Sequence, residues 1–259
     1  TCAKNLVLFG DPRQLGNPSD ITHPGDSGLS VLDFILGEKN TVPPNLGIFL
    51  STTRRMRSEI TPFISESFYD SRLNSHPTTN QRSLKLERNP LPQNSGVVLV
   101  EMEHQDNAQS SKEEIEVIAK LYSYFFTQKF IDEGVERDIS ADDILVVAPY
   151  NVQVNLIQKK LPEGNRTGTV DKFQGQEAPI SILSMTSSDG DNAPRGINFL
   201  MDEARLNVAV SRAQCLSIIL INKELFNVHI NSINQFKLKN NFLKLKQKSS
   251  VIDVNKLNL

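Results

Sequence analysis

Two rhythms of apolar and polar positions divide this chain. From residue 97 onward, short apolar runs alternate with stretches of helical spacing. Residues 97–101, 144–148, 167–170, 180–185 and 216–221 read as strands, and 111–133, 152–161 and 202–213 as helices. The first of these helices has Ser111 placed as N-cap with Glu114 three residues on, a capping-box pattern. Its apolar stripe is Ile115, Ile118, Ala119, Tyr122, Phe125 and Phe126. The run Ile144-Leu145-Val146-Val147-Ala148 is apolar at every position, as in a parallel sheet covered on both faces. This β-α-β-α rhythm predicts a doubly wound α/β domain.

Before residue 97 the pattern is less regular. Residues 6–9 form an apolar run that ends in Gly10-Asp11-Pro12, a predicted strand and turn, and 47–50 is a second strand candidate. Residues 16–28 and 74–95 read as loops, the latter with room for an edge strand, and 31–36 as a short helix. In 59–68, Ile60, Phe63, Ile64 and Phe68 recur at helical spacing, with Pro62 in the first turn. Residues 228–259 are rich in Asn and Lys, with a broken Leu/Ile pattern that fits a docking helix or a frayed tail.

Composition narrows the class. The chain has 259 residues, enough for one large or two small domains, with 38% hydrophobic and 22% charged residues. No apolar run approaches a membrane span, and no secretory signal opens the chain. Cys2 and Cys215 are too few for a disulfide framework, which points to a reducing, cytoplasmic compartment. A net charge of −2 leaves any nucleic-acid groove as a local basic patch. His23, His76, His104 and His229 lack ligand spacing, so no metal site is expected in the chain itself. Gly25-Asp26-Ser27-Gly28 echoes a serine-protease segment, but it lies in a predicted loop with no paired cysteines.

Three strings carry the chemistry. Gly10-Asp11-Pro12-Arg13-Gln14-Leu15 puts Asp11 and Gln14 on a turn after a strand, where such sheets bind ligands. Gly168-Thr169-Val170-Asp171-Lys172-Phe173-Gln174-Gly175-Gln176-Glu177 sets a flexible glycine between polar side chains. Leu206-Asn207-Val208-Ala209-Val210-Ser211-Arg212-Ala213 ends in an arginine on a predicted helix. A fourth stretch, Thr53-Arg54-Arg55-Met56-Arg57, gathers three arginines ahead of an aromatic-rich helix; arginine suits bidentate phosphate contact. The bland readings are an Asp-Pro turn, a solvated charge cluster and a snorkelling arginine. The order and length of the strings argue against them. No Gly-x-x-x-x-Gly-Lys-Ser/Thr phosphate loop occurs in the sequence.

Together these strings, from residue 5 to about 226, resemble the C-terminal half of superfamily 1 helicases. The branch is the one that includes nonsense-mediated-decay and flap-processing enzymes. The fuller phrasing, including Gly10 to Gln14, Ala148-Pro149-Tyr150-Asn151 and Ala193-Pro194-Arg195-Gly196, looks most like prokaryotic proteins in which a RecB-like nuclease precedes the helicase. The resemblance implies a RecA-like P-loop NTPase fold whose phosphate loop lies outside the chain. It implies 1–49 as a remnant of a first RecA-like domain with its linker, 50–226 as the second domain, and 227–259 as a tail or docking helix. ATP with Mg2+ would sit in the cleft between the two domains, and single-stranded nucleic acid, DNA more than RNA, across their top. Residue by residue, Gln14 would sense and Arg55 contact the γ-phosphate, and Arg212 would be the arginine finger. Asp11 lies near the phosphates, Glu177 would hold the ribose, and Arg54 stands where the family often has an adenine-stacking aromatic. Thr169, Val170 and Gln174 would couple nucleotide to nucleic acid. The alternative expectation is a nucleotide-responsive nucleic-acid-binding or scaffold module without motor activity.

Overall fold

The structure, a computed structural model, describes residues 4–16, 24–190 and 193–258. In chain order its first elements are α1 (Val31–Leu36), β1 (Thr52–Thr53), α2 (Thr61–Phe68), β2 (Asn74–Ser75), β3 (Ser83–Lys85), β4 (Gly96–Met102) and α3 (Lys112–Phe125). There follow β5 (Lys129–Asp132), β6 (Val135–Asp138), β7 (Ile144–Val147), α4 (Asn151–Lys160), β8 (Arg166–Gly168) and β9 (Ala178–Ser184). The last are α5 (Gly196–Leu200), α6 (Glu203–Ser211), β10 (Ala213–Asn222), α7 (Ile233–Lys248) and β11 (Ser250–Asp253).

Six strands form one wholly parallel sheet in the order β11-β4-β10-β9-β7-β8. Alternate side chains feed two separate cores, one on each face. Val97 and Leu99 join Leu145, Val147, Leu183, Ile219 and Ile221 beneath α2, α5, α6 and α7. Val98 and Val100 join Ile144, Val146, Ile180, Ile182, Ile218 and Leu220 beneath α3 and α4. Burial on both faces is why these strands are apolar at nearly every position. This is the RecA-like α/β arrangement. Among the described residues no helix is long and apolar enough to cross a membrane.

The structure departs from the sequence pattern in four places. Helix α3 stops at Phe125, and the residues expected to continue it form the β5–β6 hairpin, which pairs with β3. The turn is Glu133-Gly134, both at positive φ (49° and 82°), as a two-residue hairpin requires. The expected capping box is only half made. Ser111 Oγ accepts from the Glu114 N–H at 3.1 Å, but the Glu114 side chain turns into the protein and Gln153 Oε1 takes the Ser111 N–H at 2.9 Å.

Residues 6–9 and 47–50 form no strand. Leu6, Val7, Phe9, Ile48 and Leu50 are exposed, and a strand forms only where a neighbour supplies the ladder. Cys2 and His23 lie outside the described residues. At the other end, Leu238, Phe242 and Leu245 of α7 are buried at i, i+4 and i+7, and β11 extends the sheet beside β4. Lys246 to Glu101 at 2.6 Å and Lys248 to Glu66 at 2.8 Å tie the helix down at its end.

Phe242 is 1% exposed in the core beneath the sheet. Replacing a buried Phe by Ala removes its transfer energy and leaves a cavity, costing about 3–5 kcal/mol. We expect Phe242→Ala to destabilise the whole domain by that amount in urea titration, with Leu243→Ala on the exposed face nearly silent. Equal, small effects at both positions would show that α7 is not part of the folded unit.

Candidate nucleotide site

Sheet register brings the flagged residues together. Ala213 of β10 pairs with Ala178 of β9, and Ala178 N–H donates to Arg212 O at 3.1 Å. Glu177 and Arg212, each one residue upstream, therefore stand side by side at the amino edge of the sheet. That is the opposite edge from the one where open α/β sheets usually hold ligands. The register of β10 shifts between Ala213 and Leu216, and Gln214 O accepts the Arg57 N–H there at 3.0 Å. This irregularity seats the arginine segment 54–57 against the two strands, as bulges beside functional sites do.

Arg212 follows the last residue of α6 and is 1% exposed. Its Nε donates to Val208 O at 3.0 Å, and Nη1 donates to Phe173 O at 3.4 Å and Gln176 O at 3.1 Å. Nη2 donates to Gln14 Oε1 at 3.4 Å and Ser211 Oγ at 3.2 Å. Among the described residues, none of these partners is a carboxylate. Burial first, and then the like charge of Arg55, push the guanidinium down to about 10, so it remains a cation at neutral pH. One arginine thus joins the strings around Gln14, Phe173–Gln176 and Val208.

Arg55 Nε donates to Glu177 Oε2 at 2.5 Å, and Nη1 to Ser211 O at 3.3 Å. Gln214 Nε2 donates to Glu177 Oε1 at 2.8 Å. Burial would raise the Glu177 carboxyl, but the Arg55 and Gln214 hydrogen bonds and the Arg55 charge outweigh it and hold it below its ordinary 4.5. Arg54 is exposed, and its backbone oxygen accepts from Arg82. Asp11 Oδ1 accepts the Arg13 N–H at 3.0 Å, and Oδ2 accepts from Gln14 Nε2 at 2.8 Å.

The residues expected to couple the two ligands are dispersed around this centre. Thr169 is half-buried, and its carbonyl accepts the Lys172 N–H. Val170 is 3% exposed, a core residue whose side chain faces inward. Gln174 is exposed, and its Nε2 donates to Leu15 O at 3.1 Å, a tie between the first and second strings. Gly175 holds φ at 81°, so the turn itself demands glycine there.

Three features escaped the sequence reading. Asn207, inside a flagged string, and Tyr69, just past the aromatic-rich helix that follows the arginine stretch, carried no assigned role; they contact Arg13 and Asp11. Gln214 was visible only as the residue after a flagged string. Phe199 lies between two guanidinium groups, Arg195 at 3.8 Å and Arg205 at 4.5 Å from its ring centroid. Arg205 also reaches Asp171 at 3.2 Å. The i, i+4 spacing of Arg195 and Phe199 was the available signal.

Comparison with known proteins shows the family. The sequence model described as "AAA domain" matches residues 35–224. The chain belongs to that family. It is 30% identical over 244 residues to the DNA-binding protein SMUBP-2 of Mesocricetus auratus, covering 88% of this chain and 23% of that protein. It is 32% identical over 224 residues to the DNA polymerase alpha-associated DNA helicase A of Schizosaccharomyces pombe, covering 80% and 32%. It is 30% identical over 223 residues to the Regulator of nonsense transcripts 1 homolog of Drosophila melanogaster, covering 82% and 18%. These relatives support the nonsense-mediated-decay branch. The chain spans between 10% and 32% of the length of such curated relatives.

The residues present fit the terminal phosphate of a nucleotide. Arg55 and Arg212 are close enough to repel one another, a strain that an anion between them relieves. They do not fit Mg2+. Both oxygens of Asp11 are taken by Arg13, Gln14 and Tyr69, and among the described residues no cluster of three His, Cys, Asp or Glu groups could hold a metal.

The Arg55–Glu177 pair has a direct test. Because the folded carboxyl lies below 4.5, the pair's contribution is complete above that pH and is lost as pH falls through the folded value. We expect the Glu177 carboxyl, followed by NMR, to titrate below 4.5, and Arg55→Gln to move it back toward 4.5. An unchanged Glu177 titration in Arg55→Gln would mean that the pair does not exist in solution.

Proposed function

We propose that this chain is the second motor domain of an ATP-dependent nucleic-acid helicase or translocase of superfamily 1. The observation that carries the reading is Arg212: one buried, carboxylate-free guanidinium that joins the three strings of the motif series. A structural arginine buried to this extent is ordinarily matched by an acid, since an unpaired buried charge is costly. A site that receives an anion leaves that place open.

In this reading ATP supplies the transferable γ-phosphoryl group, and this chain supplies its electrostatic surroundings. Arg212 meets the charge that grows on the phosphoryl oxygens in the transition state. Arg55 meets the same group in the ground state, and Gln14 reports it to Arg212 through their shared hydrogen bond. Glu177 keeps lone pairs for a ribose hydroxyl beside those used by Arg55 and Gln214, and exposed Arg54 offers its guanidinium plane to the base. Thr169, Val170 and Gln174 lie on the loop that carries the change toward nucleic acid. In the same reading the phosphate cradle and the Mg2+ ligands are supplied by a first RecA-like domain, to which residues 1–49 are assigned as its end and linker. Residues 50–226 with the closing segment 227–259 form the second domain.

The substrate favoured is single-stranded DNA. Two of the relatives are named for DNA, as the DNA-binding protein SMUBP-2 and the DNA polymerase alpha-associated DNA helicase A. The phrasing around Ala148–Asn151 and Ala193–Gly196 supports a fusion with a RecB-like nuclease, in a cytoplasmic protein.

Two outcomes are expected. Isothermal titration of the chain alone with a non-hydrolysable ATP analogue should show a Kd weaker than about 1 μM, because the phosphate cradle is missing. Tighter binding would mean that this chain holds nucleotide by itself. In the full-length protein, Arg212→Ala should lower steady-state ATP turnover per folded molecule by about 10³-fold or more with nucleic acid present, while nucleotide affinity stays close to the parent. A folded Arg212→Ala protein that hydrolyses ATP at the parent rate would overturn the motor reading.

A further inference from the structure

We infer that Tyr69 is a positioning residue for ATP turnover: its hydroxyl fixes Asp11, and through Asp11 the orientation of Gln14 toward Arg212. The inference rests on the motor reading above and extends it to a residue that no motif string identifies as functional.

The hydrogen-bond roles in this chain are forced. Tyr69 OH lies 2.5 Å from Asp11 Oδ2, and a carboxylate only accepts, so the hydroxyl donates its single proton there. Its oxygen accepts from Asn207 Nδ2 at 2.9 Å, whose other hydrogen goes to Arg13 O at 2.8 Å. Asn207 spends both N–H groups on this junction, and its Oδ1 is left buried without a partner. Gln14 Nε2 also donates to Asp11 Oδ2, at 2.8 Å. An amide whose nitrogen faces Asp11 must turn its oxygen away, and Gln14 Oε1 meets Arg212 Nη2 at 3.4 Å. Donation therefore converges on the Asp11 carboxylate, from Asn207 through Tyr69 on one side and from Arg212 through Gln14 on the other.

The packing around Tyr69 holds this arrangement. Tyr69 is 7% exposed at the end of α2, with Phe49 against its ring at 6.1 Å. Burial, followed by the Asp11 charge, keeps the hydroxyl titrating above its ordinary value, so it is a donor at every working pH. Asp11 and Gln14 sit on a segment without regular secondary structure, hence without a ladder of its own to orient them. Tyr69, capping the end of α2, and Asn207, on α6, are the rigid side of the junction. Removing the hydroxyl leaves Asp11 held only by the Arg13 N–H and Gln14 of its own irregular segment, with no bond to the rigid side, and its hold on which end of the Gln14 amide faces the finger weakens.

The test is steady-state ATPase of the full-length protein with nucleic acid present, comparing Tyr69→Phe, Asp11→Asn and the double variant. Tyr69→Phe keeps the ring. We expect it to lower kcat by about tenfold, the worth of one hydrogen bond to a charged group, with KM for ATP within about twofold. Its melting temperature should stay close to the parent. Asp11→Asn should also lower kcat, and the double variant should fall no further than the worse single, because both changes break one chain. The inference is overturned if Tyr69→Phe turns over within about twofold of the parent, or if the double variant shows the product of the two single losses. It is equally overturned if the loss appears in KM or in melting temperature rather than in kcat. Arg212→Ala in the same assay separates the two levels: a parent-like rate there removes the motor reading, whereas an inactive Arg212→Ala beside a parent-like Tyr69→Phe removes the role of Tyr69 alone.

Discussion

A buried guanidinium held by backbone carbonyls sets the terms for everything around it. Taking a charge out of water costs several kcal/mol unless polar groups replace the lost hydration. Arg212 recovers that hydration from Val208 O, Phe173 O and Gln176 O, which are neutral dipoles. The helix end adds a favourable field of its own, since α6 terminates at Ser211 and its last carbonyls point toward the cation. Dipoles solvate the charge without cancelling it, and Glu177 and Asp11 act on it only through space, with no hydrogen bond to the guanidinium. The nearby acids are committed elsewhere: Glu177 to Arg55 and Gln214, Asp11 to Gln14 and Tyr69.

That arrangement depends on strand register more than on any loop. Ala178 and Ala213 are paired, so the residues just ahead of them, Glu177 and Arg212, are neighbours by construction. A one-residue slip of β10 would turn its whole side-chain set to the wrong faces, exposing Ile218 and Leu220 to the opposite core. The two apolar cores thus hold the site's geometry indirectly, by making every other register expensive. The placement at the amino edge also explains the division of labour. The glycine-rich cradles that bind phosphate in such folds sit at carboxyl ends of strands, and these amino-edge groups approach a nucleotide from the opposite side.

What could be read in advance followed from where the physics is local. Strands buried on both faces announce themselves as apolar runs, unbroken at 144–148 and interrupted only by Ser217 at 216–221, and both were legible for that reason. The 111–133 stretch was misjudged because Phe125, Phe130 and Ile131 continue an apolar rhythm across a change from helix to hairpin. Glu133-Gly134 was the turn signal, and it stood at the predicted helix end instead of inside it. Helix α7 was obscured by Ile233, Phe236 and Leu243 on its outer face, which blur the Leu238–Phe242–Leu245 stripe. For the site, the strings marked residues that the fold gathers, while their partners were beyond reach: nothing local says that Asn207 would meet Tyr69, 138 positions away.

The carboxyl edge of the sheet makes the same point from the other side. Glu114 is wholly buried there, where it accepts from Ser184 Oγ, from the Thr186 N–H at 3.0 Å and from His104 at 3.2 Å. His104 in turn meets Ser188 at 2.7 Å. A capping residue in the sequence is thus the hub of a satisfied polar network that fixes the loops after β4 and β9. Such networks are rigid when every member is paired, because each lost partner leaves a desolvated group behind. The two edges of the sheet therefore differ in kind. At the carboxyl edge the buried carboxylate is saturated with donors and has nothing left to bind. At the amino edge the buried cation is saturated with dipoles and has no carboxylate among its hydrogen-bond partners, so its charge is matched only through space and an anion brought close to it is favoured.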